Sequence, residues 1–194
     1  SESPAPGGGS ISAYVGVLGA ALGTMVANLS SHKVGWDDRI DYFSEMAEKG
    51  QDIKDRLLAL VDADTHAFNL IMDALRMPKA TDDEKSNRKR AMNEATKGAI
   101  EVPLAVMKTA LEAMPLLKEM AEHGNQNSVS DAGVGALCIR TAVEGAALNV
   151  RINCKGFEDV DYVRKSTDEA NRILAAAKKF EEQILKTVQG TIQE

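Results

Sequence analysis

Residues 11–29 are the stretch that most constrains how this 194-residue chain can fold. They read ISAYVGVLGAALGTMVANL and contain no charged residue. As an α-helix the stretch is long enough to cross a bilayer, and Gly19 and Gly23 form a small-xxx-small pair. The alternative is a helix buried inside a bundle. Because Gly, Ser, Thr and Asn dilute its hydrophobicity and no Lys/Arg cluster precedes it, we predict a core helix rather than a membrane span.

The composition excludes several classes of protein. With 44% apolar residues, 4% aromatic residues and five prolines, it favours α-helices over sheets and argues against disorder as the main state. The net charge of −6 argues against binding to duplex nucleic acid, but it allows a local basic pocket for a small anion. Two cysteines, Cys138 and Cys154, predict a reduced, cytoplasmic compartment without a zinc site, and we expect no signal peptide.

Start and stop signals predict the first two helices. Pro6 and three glycines precede Ser10, a natural N-cap, so the first helix is predicted over about 11–31. A turn at 35–38 precedes a long helical pattern of apolar residues, which Met77–Pro78 should end. Since the chain begins at Ser1 rather than at a methionine, processing, trimming and excision from a longer protein all stay open.

The next helix begins with a capping box, in which Thr81 is the N-cap and Glu84 lies three residues later. It should continue to about Ala121, although a proline inside a helix removes one hydrogen bond and clashes with the preceding turn. We therefore expect a kink at Pro103, and a break at Pro115 stays open as the alternative to continuation.

A polar loop at 124–131 ends in Ser130–Asp131, which is most simply an N-cap. A helix rich in Ala and Gly is predicted over about 131–153, Gly156 should end it, and a last amphipathic helix is predicted over about 159–190.

The predicted architecture is therefore an all-α bundle of about five to seven helices in a single domain over 1–194. Two helices rich in small residues lie at its centre, with amphipathic helices around them. These two helices almost lack a polar face, and a bundle of this size could not cover both. We therefore expect a homo-oligomer that buries helix surface between subunits.

The most distinctive local motif is the run Gly7, Gly8 and Gly9 before a helix N-terminus. Outward-facing backbone N–H groups and the helix dipole suit a carboxylate or the oxyanion of a reacting group. The motif is not a nucleotide P-loop, because Gly-Lys-Ser/Thr is missing. Alternatively, the glycines serve only to let the start of the helix pack closely.

Two acids interrupt an apolar helical stretch. Asp62 and His66 share one helix face, and Asp64 lies about 200° around the helix from Asp62. We expect one carboxylate to point inward, where burial of a carboxyl group suits it to proton transfer near neutral pH. The alternatives are a solvated acid–His stripe, or a metal pair that lacks further ligands.

Asn149 and Asn153 lie one helical turn apart and could clamp a flat heterocycle with paired donors and acceptors. Arg151 projects from another face, where it could reach a carboxylate or a neighbouring subunit. The alternative is a set of polar residues at a fraying helix end. Lys79 is most simply a solvated loop residue.

Six segments in order resemble the formiminotetrahydrofolate cyclodeaminase family, which also contains methenyltetrahydrofolate cyclohydrolases. They are SPAPGGGS at 3–10, LGAALGTMV at 18–26, VDADTHAF at 61–68, MPK at 77–79, GNQNSVSD at 124–131 and NVRIN at 149–153. The resemblance covers nearly the whole chain, although His66 is not part of the pattern. Because standalone relatives usually have a short helix before the Gly-rich turn, trimming or a former fusion is expected.

The resemblance implies an all-helical homodimer that binds a reduced folate and needs no metal or further cofactor. The implied substrate is 5-formiminotetrahydrofolate from histidine breakdown, and the implied products are 5,10-methenyltetrahydrofolate and ammonia. N10 attacks the formimino carbon while one carboxylate takes the N10 proton and returns it to the departing nitrogen. We assign that carboxylate to Asp64. A formiminotransferase domain or protein is the implied partner.

The resemblance also implies a set of substrate-binding residues. The Gly-rich turn would hold the pterin or a folate carboxylate, the asparagines and Asp62 the polar edges of the ring, and Lys79 and Arg151 the glutamate tail. The complete binding set is Gly7, Gly8, Gly9, Ser10, Asp62, Lys79, Asp131, Asn149, Arg151 and Asn153. Two alternatives stay open: a methenyltetrahydrofolate cyclohydrolase, and a non-catalytic scaffold or membrane-associated bundle whose glycines serve packing alone.

Overall fold

The computed structural model describes residues 6–193, which form five α-helices and no strand. The helices are α1 (Gly8–Ser31), α2 (Ile40–Arg76), α3 (Asp82–His123), α4 (Val129–Cys154) and α5 (Val160–Gln193). Short 3₁₀ turns lead into α2 and α4. The predicted all-α bundle is confirmed, while residues 3–5 of the N-terminal motif lie outside the described residues.

Several helix ends follow the sequence signals. The Thr81 hydroxyl accepts a hydrogen bond from the Glu84 backbone N–H, and the Glu84 carboxylate accepts one from the Thr81 N–H, which completes the predicted capping box. Gly35 and Gly156 adopt φ values of +83° and +82°, a conformation that favours glycine and turns the chain between helices.

Two expectations about helix ends are wrong, those for the starts of α1 and α4. α1 begins at Gly8 with Gly7 as N-cap, because the Ser10 hydroxyl turns instead to Asp64. α4 begins at Val129, since the 3₁₀ turn before it continues directly into the helix, and Asp131 lies inside its first turn instead of capping it. The expected continuation of α3 past Pro103 and Pro115 to about Ala121 is confirmed, because each proline removes only one hydrogen bond from a 42-residue helix packed on several sides.

The helices pack so that α1 lies between α2 and α4, while α3 contacts all the others. α1 and α4 approach closely at a glycine pair: a Cβ added at Gly19 would lie 2.9 Å from the Gly135 carbonyl oxygen. The small residues noted in the sequence therefore allow near contact between two backbones. Large side chains fill the core around them, including Phe43, Leu57, Ile100, Met107, Met114, Leu117 and Ile139.

Within residues 6–193, α1 is the one helix long and apolar enough to span a membrane by length and composition. Its most apolar window has a mean hydropathy of 1.6, and 61% of that window is buried within the protein. The outer side of α1 and α4 nevertheless exposes a row of large apolar side chains. This α1–α4 face consists of Ile11, Tyr14, Leu18, Met25, Leu29, Val134, Leu137, Leu148 and Ile152.

Candidate active site

A cavity of about 230 Å³ lies where the N-terminus of α1 meets α2, α3 and the C-terminal part of α4. We call it the Asp64 pocket. Its lining brings together the Gly-rich turn, Asp64 and both asparagines singled out in the sequence. The lining residues are Gly7, Gly8, Gly9, Asp64, Ala67, Phe68, Ile71, Ala99, Asn149 and Asn153.

The Asp64 carboxylate is held against the first turn of α1. The Ser10 hydroxyl, only 1% exposed, donates a hydrogen bond of 2.7 Å to Asp64 Oδ2. A Cβ added at Gly9 would lie 2.6 Å from Asp64 Cγ, so the carboxyl group packs directly on the glycine backbone. Gly7 provides no side-chain hydrogen bond as N-cap, and the first backbone N–H groups of a helix, which lack partners within the helix, favour negative charge beside them.

Asn149 and Asn153 line the pocket, and one hydrogen bond holds each side-chain amide in place. Asn149 Nδ2 donates to the Gly145 carbonyl oxygen at 2.9 Å, and Asn153 Nδ2 donates to the Ala99 carbonyl oxygen at 2.6 Å. One hydrogen of each amide is engaged, so the second hydrogen and the Oδ1 atom of each remain available as donor and acceptor. Both asparagines of the predicted clamp line the same pocket, and the clamp itself stays a prediction.

The remaining wall of the pocket is apolar and comes mainly from α2. Phe68 follows Asp64 by four residues and thus shares its helix face, a spacing that could have identified it from the sequence. Ile71 completes this wall, and Ala99 of α3 closes the base. No sequence signal distinguished Ala99, because its place depends on how α3 packs against α4.

The structure does not bring Asp62 or Arg151 to the pocket. Asp62 and His66 are exposed on the other side of α2, as their spacing from Asp64 indicated. Arg151 is exposed and donates to Asn171 Oδ1 of α5 at 3.2 Å. In one copy of the chain these side chains therefore lie on the surface and outside the Asp64 pocket.

Lys79 lies in a neighbouring basic cavity of about 620 Å³. Its lining residues are Lys79, Lys85, Arg88, Lys89, Met92, Asn93 and Glu158. Met92 and Ala99 are seven residues apart on one face of α3, so the two cavities are separated by about 10 Å along that helix. Lys89 pairs with Glu158 at 2.9 Å, whereas Lys79 makes no ion pair with any residue in 6–193.

Asp131 lies at the opposite end of the bundle from the pocket. It is 18 residues from Asn149 on the same helix, a separation of about 27 Å. In one copy of the chain it therefore cannot contact a ligand beside Asp64.

One group of possible metal ligands occurs within residues 6–193, and it is remote from Asp64. Glu119, Glu122 and His123 lie at the C-terminal end of α3 with ligand atoms within 4.8 Å of one another. Their carboxylates are already engaged, because Glu119 accepts a hydrogen bond from Tyr42 and Glu122 pairs with Lys118 at 2.8 Å. Burial, followed by the bond to Glu119, raises the pKa of Tyr42 to about 12.

Comparison with known proteins finds relatives that match nearly the whole chain. Residues 1–172 match the family model described as formiminotransferase-cyclodeaminase. A methenyltetrahydrofolate cyclohydrolase of Methylorubrum extorquens is 36% identical over 192 residues, which cover 99% of this chain and 92% of the relative. A formimidoyltransferase-cyclodeaminase of Gallus gallus is 37% identical over 177 residues, which cover 91% of this chain but 33% of that protein.

The fold has a solved counterpart. The crystal structure of formiminotetrahydrofolate cyclodeaminase from Thermotoga maritima superposes with a TM-score of 0.87 at 26% identity, covering 99% of this chain and 92% of the other. The chain spans only a third of the animal relatives it matches. The matches across nearly the whole chain, together with the helical fold, show that this protein belongs to the formiminotransferase-cyclodeaminase family of folate enzymes.

Proposed function

We propose that this protein acts at the carbon that bridges N5 and N10 of a reduced folate, forming or consuming 5,10-methenyltetrahydrofolate. The observation that carries the proposal is the Asp64 carboxylate, fixed by Ser10 against the N-terminus of α1 in a pocket of suitable shape. A positioned carboxylate is the group that proton transfer at a folate nitrogen requires.

The Asp64 pocket fits the ring end of such a substrate. The amides of Asn149 and Asn153 each keep an oxygen acceptor and one N–H donor for the polar edge of a pterin, and Phe68 offers an apolar wall to its face. At about 230 Å³ the pocket is smaller than the ~300–1,000 Å³ that whole drug-sized ligands occupy. The rest of the folate therefore extends outside it, and we place the glutamate carboxylates near Lys79 in the basic cavity.

The first candidate reaction is the cyclodeaminase reaction on 5-formiminotetrahydrofolate. N10 attacks the carbon of the protonated formimino group, and Asp64 takes the proton that N10 loses. The same carboxyl group then delivers that proton to the formimino nitrogen, the carbon–nitrogen bond breaks, and ammonia leaves as the methenyl bridge forms. Holding N10 beside the carbon supplies much of the rate, because it replaces a chance encounter by a fixed geometry.

The second candidate is the cyclohydrolase reaction, and the Methylorubrum extorquens relative favours it because the similarity extends over 92% of that protein. Water attacks the methenyl carbon while Asp64 accepts its proton. Asp64 then returns that proton to N5 as the bond from the carbon to N5 breaks, the new hydroxyl loses its proton to solvent to become the formyl carbonyl, and 10-formyltetrahydrofolate is released. Both candidate reactions use the same pocket and the same carboxylate. They differ in that the first releases ammonia and the second adds water.

Two absorbance assays separate the candidates. Purified protein is given 5-formiminotetrahydrofolate while the methenyl absorbance band and released ammonia are followed together. A growing band with matching ammonia identifies the cyclodeaminase. A faster-than-spontaneous loss of the band on supplied 5,10-methenyltetrahydrofolate, without ammonia release in the first assay, identifies the cyclohydrolase. Silence in both assays contradicts the proposal and leaves the scaffold alternative.

The cellular setting follows from the first candidate. We place the protein in the cytoplasm, where 5-formiminotetrahydrofolate from histidine breakdown would be supplied by a formiminotransferase. The names of the animal relatives support such a partner. Each is called a formimidoyltransferase-cyclodeaminase, and this chain matches one third of its length. We also propose that Asp64 suffices for proton transfer, so that turnover persists after dialysis against a chelator.

A further inference from the structure

A cavity of about 720 Å³ lies between the first half of α2 and the second half of α3, and we call it the α2–α3 cavity. Its volume is about three times that of the Asp64 pocket and lies within the ~300–1,000 Å³ of small-molecule sites. Asp64 follows the lining residue Ile53 by 11 residues, or about 17 Å along α2. The α2–α3 cavity is therefore separate from the Asp64 pocket, and the proposed folate chemistry does not use it.

We propose that the α2–α3 cavity binds a small organic cation, in which a protonated amine or a guanidinium group is attached to an apolar body. Three features carry the proposal: an apolar floor, a rim with an excess of carboxylates, and a backbone carbonyl beside Pro115 that lacks its helical donor. Since none of these features involves the Asp64 pocket, the proposal stands independently of the folate reaction.

The floor of the α2–α3 cavity is apolar and comes from both helices. It consists of Met46, Ile53, Pro115 and Leu116. Ile53 and Leu116 are buried, whereas Met46 is partly exposed and the ring of Pro115 is exposed. An apolar body placed on this floor removes both its own surface and that of Met46 and Pro115 from water, which favours binding. A fully hydrated ion would gain nothing from such a floor.

The rim of the cavity carries an excess of negative charge. Four carboxylates border it, two from each helix: Glu48, Asp52, Glu112 and Glu119. Lys49 is the one cation among the lining residues in 6–193. Arg56 pairs from outside the lining with both Asp52, at 3.0 Å, and Glu112, so that one guanidinium serves two carboxylates. Counting Lys49 and Arg56 against the four acids leaves two negative charges, which a bound cation would neutralise.

Glu119 is a negative group held in a fixed position at one end of the cavity. Its carboxylate accepts a hydrogen bond from the phenol of Tyr42. Burial, followed by this bond, raises the pKa of Tyr42 to about 12, so the phenol is uncharged at neutral pH. An uncharged donor orients the carboxylate without cancelling its charge. Glu119 is therefore well placed to accept a charge-assisted hydrogen bond from an ammonium or guanidinium group.

Pro115 adds a hydrogen-bond acceptor that the side chains do not provide. Proline has no backbone N–H, so the carbonyl oxygen of Leu111, four residues earlier in α3, loses the donor that position 115 would otherwise supply. In a helix that oxygen lies beside the ring of the proline, and the ring lines the cavity. A buried or half-buried carbonyl without a partner favours a ligand that donates an N–H group.

Contacts at both ends of the cavity favour a small molecule over a helical segment of another protein. Tyr42 and Glu119 join α2 to α3 at one end, and Arg56 and Glu112 join them at the other. On α3 these two bridges are seven residues apart, or about 10 Å. A helix with its side chains is itself about 10–12 Å across, so it could not lie along the floor between the bridges.

The proposal is tested by titrating three probes into protein labelled with ¹³C at the methionine methyl groups. The probes are 2-phenylethylamine, 3-phenylpropionate, which has the same ring and the opposite charge, and spermidine, which has charge without an apolar body. Met46 on the cavity floor is the reporter, and its signal is assigned with Met46→Leu. We expect a saturable shift with 2-phenylethylamine, at a dissociation constant of about 10 mM or tighter for a ligand of that size. Spermidine should bind more weakly, and 3-phenylpropionate should not shift the signal.

Variants then assign the binding to the rim and to the carbonyl. Glu48→Gln combined with Glu119→Gln should weaken 2-phenylethylamine about tenfold, because the cation loses charged acceptors. The matched control is Glu182→Gln, an exposed acid of α5, which should bind as wild type does. Pro115→Ala supplies the missing N–H to the Leu111 carbonyl, so affinity should fall about two- to tenfold while the thermal unfolding midpoint rises. Circular dichroism verifies that each variant is folded.

Three results would overturn the proposal. They are the absence of a saturable Met46 shift with 2-phenylethylamine, equal binding of 3-phenylpropionate, and wild-type affinity in the variant that lacks both Glu48 and Glu119. Each would show that the α2–α3 cavity does not select an apolar cation. Because no folate substrate is used, the outcome does not depend on whether the protein turns over either folate.

Discussion

Replacing Gly9 with alanine should lower the activity of this protein while leaving its stability nearly unchanged. The added Cβ would overlap first with Asp64 Oδ1 and would lie 2.6 Å from Cγ and 2.7 Å from Oδ2, whereas about 3.4 Å is ordinary contact. The carboxylate must therefore retreat by about an ångström or more and strain its bond to Ser10. A displacement of this size costs roughly 100-fold in rate, because reacting groups must be aligned closely. Stability should change little, since alanine is a better helix former than glycine.

The matched control is Gly98→Ala in α3, where an added Cβ meets nothing within 4 Å. That variant should gain about 0.5–1 kcal/mol of stability and keep full activity. Initial rates on the folate substrate that wild type turns over are compared with thermal unfolding midpoints for all three proteins. A Gly9→Ala variant with wild-type kcat would refute the reasoning, because Asp64 would then tolerate displacement or have no part in catalysis.

Three further changes give distinct outcomes. Ser10→Ala removes the hydroxyl that orients Asp64, so kcat should fall about tenfold, the value of one hydrogen bond, with unfolding followed to exclude a general loss of structure. Thr81→Ala removes the cap of α3 and should lower the free energy of unfolding by about 1 kcal/mol without changing activity. Tyr42 has its folded pKa raised from 10.0 to about 12, so its contribution to stability is complete below pH 10 and is lost as the pH rises through 12. The free energy of unfolding, measured with urea between pH 10 and 12, should therefore fall more steeply for wild type than for Tyr42→Phe, in which the bond to Glu119 is absent. Equal slopes for the two proteins would contradict this account.

The sequence was informative about the site wherever one helix determines the geometry. The 3.6-residue period placed Asp62 and Asp64 on different faces, and the structure turns Asp64 inward while Asp62 is exposed. The same period placed Asn149 and Asn153 on one face, and both line the pocket. Such predictions succeed because spacing along a single helix fixes relative direction without knowledge of the fold.

Features that depend on pairing between distant helices were not predictable in this way. Ser10 has the sequence signature of an N-cap, yet its hydroxyl bonds to Asp64, 54 residues away. Ala99 lines the pocket only because α3 crosses α4 where Asn153 can reach its carbonyl oxygen. Asp131 belongs to a motif in the sequence but lies far from the pocket in one copy, since α4 is long and straight enough to separate its two ends.

The central claim is that Asp64 transfers a proton at the folate bridge without being needed to hold the folate. The most direct test measures kcat and the dissociation constant for a non-reacting reduced folate in wild type and Asp64→Asn. The account predicts a kcat lower by about 10²–10⁴-fold, the range for loss of a general base, with folate binding nearly unchanged. Near-wild-type turnover by Asp64→Asn, or a loss of activity explained entirely by lost binding, would contradict it.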